Sequence, residues 1–227
     1  MPPRALSLTE DHVARATRPV EDFPSPSGYT PATDDEFAAQ VETLMAERPE
    51  GPLHVFAYGS LIWNPTFAPA ARRRAVACGW RRQFCILLRG FRGTPEAPGL
   101  MMALMSGGRC AGLALEVAAG EEAVTLDALV RRETPFAETL GDRRWVRLDT
   151  TGGPLTALTF WAGPTGPNIR RDLPLAEAAV LIARACGPRG SSAEYLYNTV
   201  HALEAEGIRD RNLWTLQRLV AAEIDRF

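Results

Sequence analysis

The sequence predicts an α+β fold: a small mixed β-sheet, closed or nearly closed like a barrel, with flanking helices and a helical C-terminal region. Two observations favour this fold. Short apolar runs of strand length fill the middle of the chain, and the last quarter has apolar residues at helical spacing. A third observation concerns organisation, since 227 residues without a repeat or an internal linker suit one domain. We expect an extended N-terminal arm over residues 1–32 and a single domain over residues 33–227.

The arm is expected to lead into a helix. Residues 1–32 contain six prolines and little periodicity, which is typical of extended chain. Thr33 and Glu36 then have the spacing of a capping box, in which each side chain accepts a hydrogen bond from the other residue's free backbone N–H. Phe37 and Leu44 belong to the apolar stripe of this helix.

The middle of the chain predicts strands. Residues 89–99 hold three glycines and two prolines and therefore predict a loop. Residues 106–109 hold two glycines, which suit the turn of a hairpin. The expected strands cover residues 53–58, 76–88, 100–105, 110–117, 145–148 and 155–161, with a helix over residues 121–133.

The last quarter predicts three helices. Pro174 and Gly187 have the positions expected at the start and just past the end of the first. Ser191 and Glu194 form a second capping box at the start of the next helix. Gly207 ends that helix, and a final amphipathic helix follows it.

Composition and charge exclude several classes of function. The chain is 46% hydrophobic and 23% charged, as in ordinary globular proteins, and its net charge is only −2. This balance gives no electrostatic case for a nucleic-acid partner. The arginines clustered at 72–74 and the pair Arg81 and Arg82 are expected to be solvated.

The sequence also favours a cytoplasmic protein without a membrane segment. No run of about 18 apolar residues is present, and the first twenty residues lack the apolar core of a signal peptide. The four cysteines contain no CxxC pair, which favours a reducing compartment over a metal or redox motif. The three histidines show no zinc-ligand spacing, so no metal site is expected.

The segment VFAYGSLIWNP, residues 55–65, is the most informative part of the chain. An apolar strand runs directly into Tyr-Gly-Ser-Leu, where Gly59 lets the backbone turn sharply or approach a ligand. The backbone N–H groups beyond Gly59 have no strand partner and would suit a carboxylate or an oxyanion. An ordinary strand-to-loop turn capped by Ser60 is the alternative interpretation.

Five motifs in chain order make this sequence resemble the ChaC-like γ-glutamylcyclotransferases of the glutathione-specific type. The first is VFAYGSLIWNP itself. The others are WRRQF at 80–84, FRGTPEAPG at 91–99, RRE at 131–133, and the stretch 190–210 with EYL and GIRD. The resemblance spans about residues 53 to 225 and leaves the N-terminal arm outside it.

The resemblance implies a fold, an activity and a site. It implies the γ-glutamylcyclotransferase-like fold and cleavage of glutathione to 5-oxoproline and cysteinyl-glycine, with no metal or organic cofactor. It makes Glu133 the general acid–base and Arg92 a candidate for binding a substrate carboxylate. The implied substrate-binding segment consists of Ala57, Tyr58, Gly59, Ser60, Leu61 and Ile62.

One departure from the family keeps alternatives open. The family has a tyrosine soon after its Arg-Glu pair, whereas residues 134–140 here contain none before Trp145. Glu138 in this stretch is a second candidate acid. Arg92 has the alternative role of bracing Glu96. Two alternatives therefore stay open: activity on other γ-glutamyl amines or amino acids, and a non-catalytic regulatory protein that binds a γ-glutamyl ligand.

Overall fold

The computed structural model describes residues 5–23, 28–163 and 166–227. By their internal contacts the residues form two compact units. The barrel unit comprises Gly28–Arg82 and Leu104–Pro164; the helical unit comprises Met1–Ser27, Gln83–Ala103 and Thr165–Phe227. The described residues 5–23 thus group with the C-terminal part of the chain. A single domain over residues 33–227 stays a prediction.

Five strands form a closed barrel in the order β1-β3-β2-β4-β5. They are β1 (His54–Ala57), β2 (Ala71–Leu88), β3 (Gly99–Glu116), β4 (Arg143–Thr150) and β5 (Leu155–Phe160). β1 is antiparallel to β3 and parallel to β5, where Val55 pairs with Leu158. The sheet is therefore mixed and closed, which confirms the predicted α+β class.

Small side chains fill the centre of the barrel unit. A barrel of few strands has a narrow interior, so only small residues fit beside each larger one. The buried cluster there consists of Phe56, Ala75, Ala77, Leu104, Cys110, Ala114, Val146, Leu148 and Ala157. The alanines let opposite walls of the barrel approach closely around Phe56.

The prediction of a hairpin turn at residues 106–109 was wrong. β3 runs unbroken through this stretch, and Gly107 and Gly108 take positive φ angles of 94° and 91° within it. Glycine permits this backbone conformation without a steric penalty, so the strand bends rather than reverses. Arg81 on β2 donates to the Ser106 carbonyl at the bend. This contact with another strand was not visible in the local sequence.

Three helices and a short 3₁₀ turn complete the described barrel unit. They are α2 (Asp34–Glu47), α3 (Ser60–Trp63), α4 (Glu122–Glu133) and the turn Ala137–Thr139. The capping box at the start of α2 is confirmed: the Thr33 hydroxyl accepts from Glu36 N–H, and the Glu36 carboxylate accepts from Thr33 N–H. α2 packs against α4.

The helical unit holds four described helices and a two-stranded sheet. They are α1 (Glu10–Ala16), α5 (Leu175–Arg184), β6 (Cys186–Gly187), β7 (Gly190–Ser191), α6 (Ser192–Ala205) and α7 (Arg211–Ile224). The three C-terminal helices were predicted. None of the described helices is both long and apolar enough to cross a bilayer.

The prediction of an extended N-terminal arm was wrong at Glu10–Ala16, which form helix α1. Residues 1–4 and 24–27 of the predicted arm lie outside the described residues. Thr9 caps this helix together with His12. The preceding Leu8 is fully buried, and its N–H donates to the Gln217 side chain at 2.8 Å. Tertiary contact therefore stabilises a helix of only seven residues, which would not form alone.

Replacing Gly112 by alanine tests how tightly β3 closes on β1. A Cβ at Gly112 would collide with the Ala57 carbonyl and come within 2.8 Å of Phe56 Cε2. We expect Gly112→Ala to lower the free energy of unfolding by about 1–3 kcal/mol in urea denaturation. Gly141→Ala is the control, because no atom lies within 4 Å of a Cβ there. Equal effects of the two changes would contradict this account of the closure.

Candidate active site

The Tyr-Gly-Ser-Leu segment leaves the barrel at the end of β1 and forms a single helical turn. Gly59 stands at the N-cap of α3, and its carbonyl accepts a hydrogen bond from Ile62 N–H at 2.9 Å. Leu61 and Ile62 are buried, with 6% and 7% of their surfaces exposed. The turn is therefore anchored by its apolar side chains, while its backbone follows a sharp change of direction.

This turn leaves backbone donors available. Among the described residues, none accepts a hydrogen bond from the N–H groups of Gly59, Ser60 or Leu61. The first N–H groups of any helical turn lack an intrahelical acceptor. Three successive free donors can bind a carboxylate or an oxyanion. Ile62 contributes no such donor, because its N–H is used within the turn.

Arg82 fixes the start of this turn from within the barrel unit. Only 4% of this arginine is exposed. Its guanidinium donates to the Tyr58 carbonyl at 2.6 Å and also to the Ala111 carbonyl on β3. The expectation that Arg82 is solvated was therefore wrong, since the side chain supplies donors to backbone carbonyls inside the barrel unit.

Glu133 is the last residue of α4, and packing determines its position. Leu126, Leu129 and Val130 bury one face of the helix completely. Thr134, itself 1% exposed, closes the helix by donating from its N–H and its hydroxyl to the Val130 carbonyl. The carboxylate of Glu133 is mostly shielded, with 21% of its side chain exposed.

Arg132 connects Glu133 to the turn after β1. Its Nε lies 3.2 Å from Glu133 Oε1, and its Nη1 donates to the Asn64 carbonyl at 2.5 Å. Asn64 is the C-cap of α3. One guanidinium therefore joins the candidate acid–base to the end of the segment that carries the free N–H groups.

Burial gives Glu133 an unusual affinity for protons. Loss of hydration raises the pKa of its carboxyl, and the positive charge of Arg132 offsets this only in part. The pKa remains above the ordinary glutamate value. A carboxylate of this kind is better matched to accepting and returning a proton near neutral pH.

Glu138, the second candidate acid, is differently engaged. Both of its oxygens accept a hydrogen bond from Thr30 N–H, at 3.1 and 3.0 Å. Hydrogen bonds from its own backbone N–H and from Thr30 lower the pKa of this carboxyl. Such a group is a weak base that already has a structural partner, so the geometry favours Glu133.

Arg92 belongs to the helical unit, where it is paired. Its Nη1 donates to Glu194 Oε2 at 2.5 Å and to the Ser191 carbonyl at 2.8 Å. The guanidinium also lies over the ring of Tyr195, 5.7 Å from the centroid, and 12% of the side chain is exposed. Arg92 was considered as a brace for Glu96, but the carboxylate that it contacts in the structure is that of Glu194.

Sequence reasoning missed the two arginines that organise the candidate site. Arg82 was expected to be solvated, and Arg132 had been given no role. Their only signal was that each lies inside a motif that resembles the family, WRRQF at 80–84 or RRE at 131–133. Their backbone acceptors, at Tyr58, Ala111 and Asn64, are distant in sequence and could not be identified.

Comparison with known proteins gives the family. Residues 53–223 match the family of ChaC-like proteins. The chain belongs to the ChaC-like family. This confirms the resemblance drawn from the five motifs.

Two relatives show how far the similarity extends. This ChaC-like chain is 35% identical over 181 residues to the glutathione-specific gamma-glutamylcyclotransferase of Escherichia coli, covering 79% of this chain and 78% of the relative. It is 33% identical over 159 residues to gamma-glutamylcyclotransferase 2-1 of Arabidopsis thaliana, covering 66% and 74%.

A solved structure supports the fold. The yeast gamma-glutamyl cyclotransferase specific to glutathione superposes with a TM-score of 0.67 at 19% identity, covering 77% of this chain and 97% of that one. This similarity concerns the backbone, and it confirms the γ-glutamylcyclotransferase-like fold for this ChaC-like protein.

Arg82→Met tests whether the buried guanidinium supports the turn. The change removes this donor from the part-buried Tyr58 and Ala111 carbonyls, and the loss of such a donor costs about 1–3 kcal/mol for each hydrogen bond. We expect the free energy of unfolding to fall by about 2 kcal/mol or more. Arg74→Met, at an exposed position on the same strand, is the control. A loss no larger than that of the control would show that Arg82 is dispensable.

Proposed function

We propose that this chain is a glutathione-specific γ-glutamylcyclotransferase of the cytoplasm that produces 5-oxoproline and cysteinyl-glycine. Membership of the ChaC-like family and the names of its relatives support this proposal. The observation that carries it is the Arg132 bridge. That bridge joins a shielded carboxylate to a turn with free backbone donors.

The proposed reaction uses a nucleophile within the substrate. The α-amine of the γ-glutamyl group attacks its own γ-carbonyl, a C–N bond forms, and a five-membered lactam closes. The γ-amide C–N bond then breaks, and its nitrogen becomes the amino group of the departing cysteinyl-glycine. Because both reacting groups belong to one molecule, the protein mainly has to hold a folded, reactive conformation.

Glu133 is the proposed proton carrier. Attack requires the neutral amine, so the Glu133 carboxylate takes a proton from the ammonium group. The protonated Glu133 then gives it to the departing amine of cysteinyl-glycine, and the second proton that the attacking nitrogen loses as the lactam closes passes to the released amine or to water. The raised pKa of this carboxyl suits the first step, since its carboxylate is a stronger base than that of an ordinary glutamate.

The turn from Ala57 to Ile62 is proposed to hold the γ-glutamyl end. The free N–H groups of Gly59, Ser60 and Leu61 would stabilise the negative oxygen that develops on the γ-carbonyl. We retain the proposal that Arg92 binds a carboxylate of the substrate. Because Glu194 already accepts from its Nη1, such a carboxylate would bind the remaining donors of the guanidinium or compete with Glu194.

The altered stretch after Glu133 favours a second candidate within the same chemistry. Residues 134–140 contain no tyrosine, and Phe136 there contacts Tyr29 from the N-terminal part. A changed wall next to the carboxylate would suit a different leaving group. Turnover of γ-glutamyl-alanine exceeding that of glutathione would support cyclisation of other γ-glutamyl compounds.

A binding protein without catalysis is the remaining alternative. It predicts that glutathione binds, as seen by calorimetry, while no 5-oxoproline forms. The decisive experiment incubates the purified protein with millimolar glutathione and follows both products by chromatography. Equal, time-dependent release of 5-oxoproline and cysteinyl-glycine supports the proposed enzyme; binding without either product contradicts it.

Glu133→Gln should abolish turnover and preserve the fold. The raised pKa means that the folded chain binds this proton more tightly than the unfolded chain. The contribution of Glu133 to stability therefore falls as pH rises from the ordinary glutamate pKa to the raised one. Uncharged glutamine avoids that cost, so the melting temperature at pH 7 should not fall. Retained turnover would remove Glu133 from the proposed role, and Glu138→Gln would then be tested.

The pH dependence should report the same carboxyl. We expect kcat/KM for glutathione to fall as pH decreases through an apparent pKa above the ordinary glutamate value, because only the carboxylate form accepts a proton. Arg132→Met removes the positive charge that lowers this pKa and should move the acidic limb to higher pH. Arg74→Met is the control. An acidic limb that is unmoved by Arg132→Met would exclude Glu133 as the titrating group.

A further inference from the structure

A short stretch before α2 pairs with the chain immediately after Glu133. Both segments belong to the barrel unit. Three backbone contacts make the pairing antiparallel. They are the bridge between Pro31 and Phe136, the hydrogen bond from Ala32 N–H to the Pro135 carbonyl (3.0 Å), and the bond from Ala137 N–H to the Thr30 carbonyl (2.9 Å).

Side chains reinforce this pairing at both of its edges. Glu138 accepts the Thr30 N–H with both oxygens, so Thr30 uses its donor and its acceptor on the same partner segment. The rings of Tyr29 and Phe136 lie with centroids 5.5 Å apart and planes tilted by 39°. Aromatic pairs at this separation are attractive beyond simple burial.

Residues 34–37, which follow this pairing in the chain, also contact α4 just before Glu133. Arg131 donates from Nη1 to Asp34 Oδ1 at 2.6 Å, and its guanidinium lies 4.6 Å from the ring centroid of Phe37. Asp127, one turn earlier on α4, holds the Nε of Arg131 at 2.9 Å. Contacts from one segment thus reach two residues before Glu133 and begin again two residues after it.

We propose that residues 29–34, named the clasp, position the Glu133 carboxylate for proton transfer, with Thr30 and Glu138 as positioning residues. This inference rests on the proposed function. Glu133 ends its helix, and terminal turns fray more readily than helix interiors. A misplacement of about 1 Å can cost up to about 100-fold in rate, so a carboxylate at a helix end needs support on both sides.

Glu138→Ala tests the clasp without disturbing the core. The side chain of Glu138 lies at the surface, and alanine removes only the acceptor for Thr30 N–H. We expect kcat for glutathione to fall about tenfold, with KM changed less than twofold, because the proton carrier rather than substrate binding is affected. Amide hydrogen exchange should become faster at Thr30 and Ala137.

Rescue by a conservative change distinguishes positioning from bulk stability. Glu138→Gln keeps an oxygen that accepts from Thr30 N–H, so it should recover most of kcat. Tyr29→Leu, which removes the ring contact, should lower kcat in the same direction as Glu138→Ala. Glu42→Ala, an exposed glutamate on α2, is the control with full activity.

The outcomes separate this inference from the activity on which it rests. Full kcat in both Glu138→Ala and Tyr29→Leu, with an active unaltered chain, would overturn the clasp alone. A fall in melting temperature that accounts for the lost kcat, or no rescue by Glu138→Gln, would also overturn it. No turnover of glutathione or γ-glutamyl-alanine by the unaltered chain would overturn the proposed function, and the clasp with it.

Discussion

Closure of the barrel around β1 determines where the candidate site lies. This four-residue strand is completely enclosed, with β3 on one side and β5 on the other. Gly112 on β3 is required for that closeness because a Cβ at this position would collide with the Ala57 carbonyl. Beyond Ala57 the pairing of β1 with β3 ends. It turns at Gly59, and its next N–H groups remain available to a ligand.

Two guanidinium groups then hold this turn at its two ends. Arg82 donates to the Tyr58 carbonyl at the start, and Arg132 donates to the Asn64 carbonyl at the finish. A planar guanidinium has five donors and can serve two acceptors in fixed geometry, which lysine cannot do. Arg82 uses this capacity to tie the turn to β3, and Arg132 uses it to tie the turn to Glu133. The free donors and the carboxylate are thus held in place before any substrate arrives.

Local patterns predicted most of the elements, whereas α1, the unbroken β3 and the long-range contacts depend on tertiary structure that local patterns do not show. The capping box of Thr33 and Glu36 and the helix ending at Glu133 are encoded within a few residues, so both were predictable. The local sequence around Gly107 resembles a hairpin turn, and only the contact of Arg81 on β2 with the Ser106 carbonyl shows a bend within one strand. Arg82 resembles a surface charge until the barrel encloses it. Arg92 meets Glu194 across 102 residues of sequence, far beyond the reach of any motif.

The stretch after Glu133 shows why a departure from a family pattern need not mean a weaker site. In the middle of this stretch Phe136 is partly accessible and Glu138 is exposed, so these two side chains offer little burial of their own. The pairing with residues 30–32 supplies the missing order through backbone hydrogen bonds, which depend little on side-chain identity. The sequence here can therefore vary while the path of the chain beside Glu133 is preserved. The contact between the rings of Tyr29 and Phe136, with centroids 5.5 Å apart, adds side-chain support to that path.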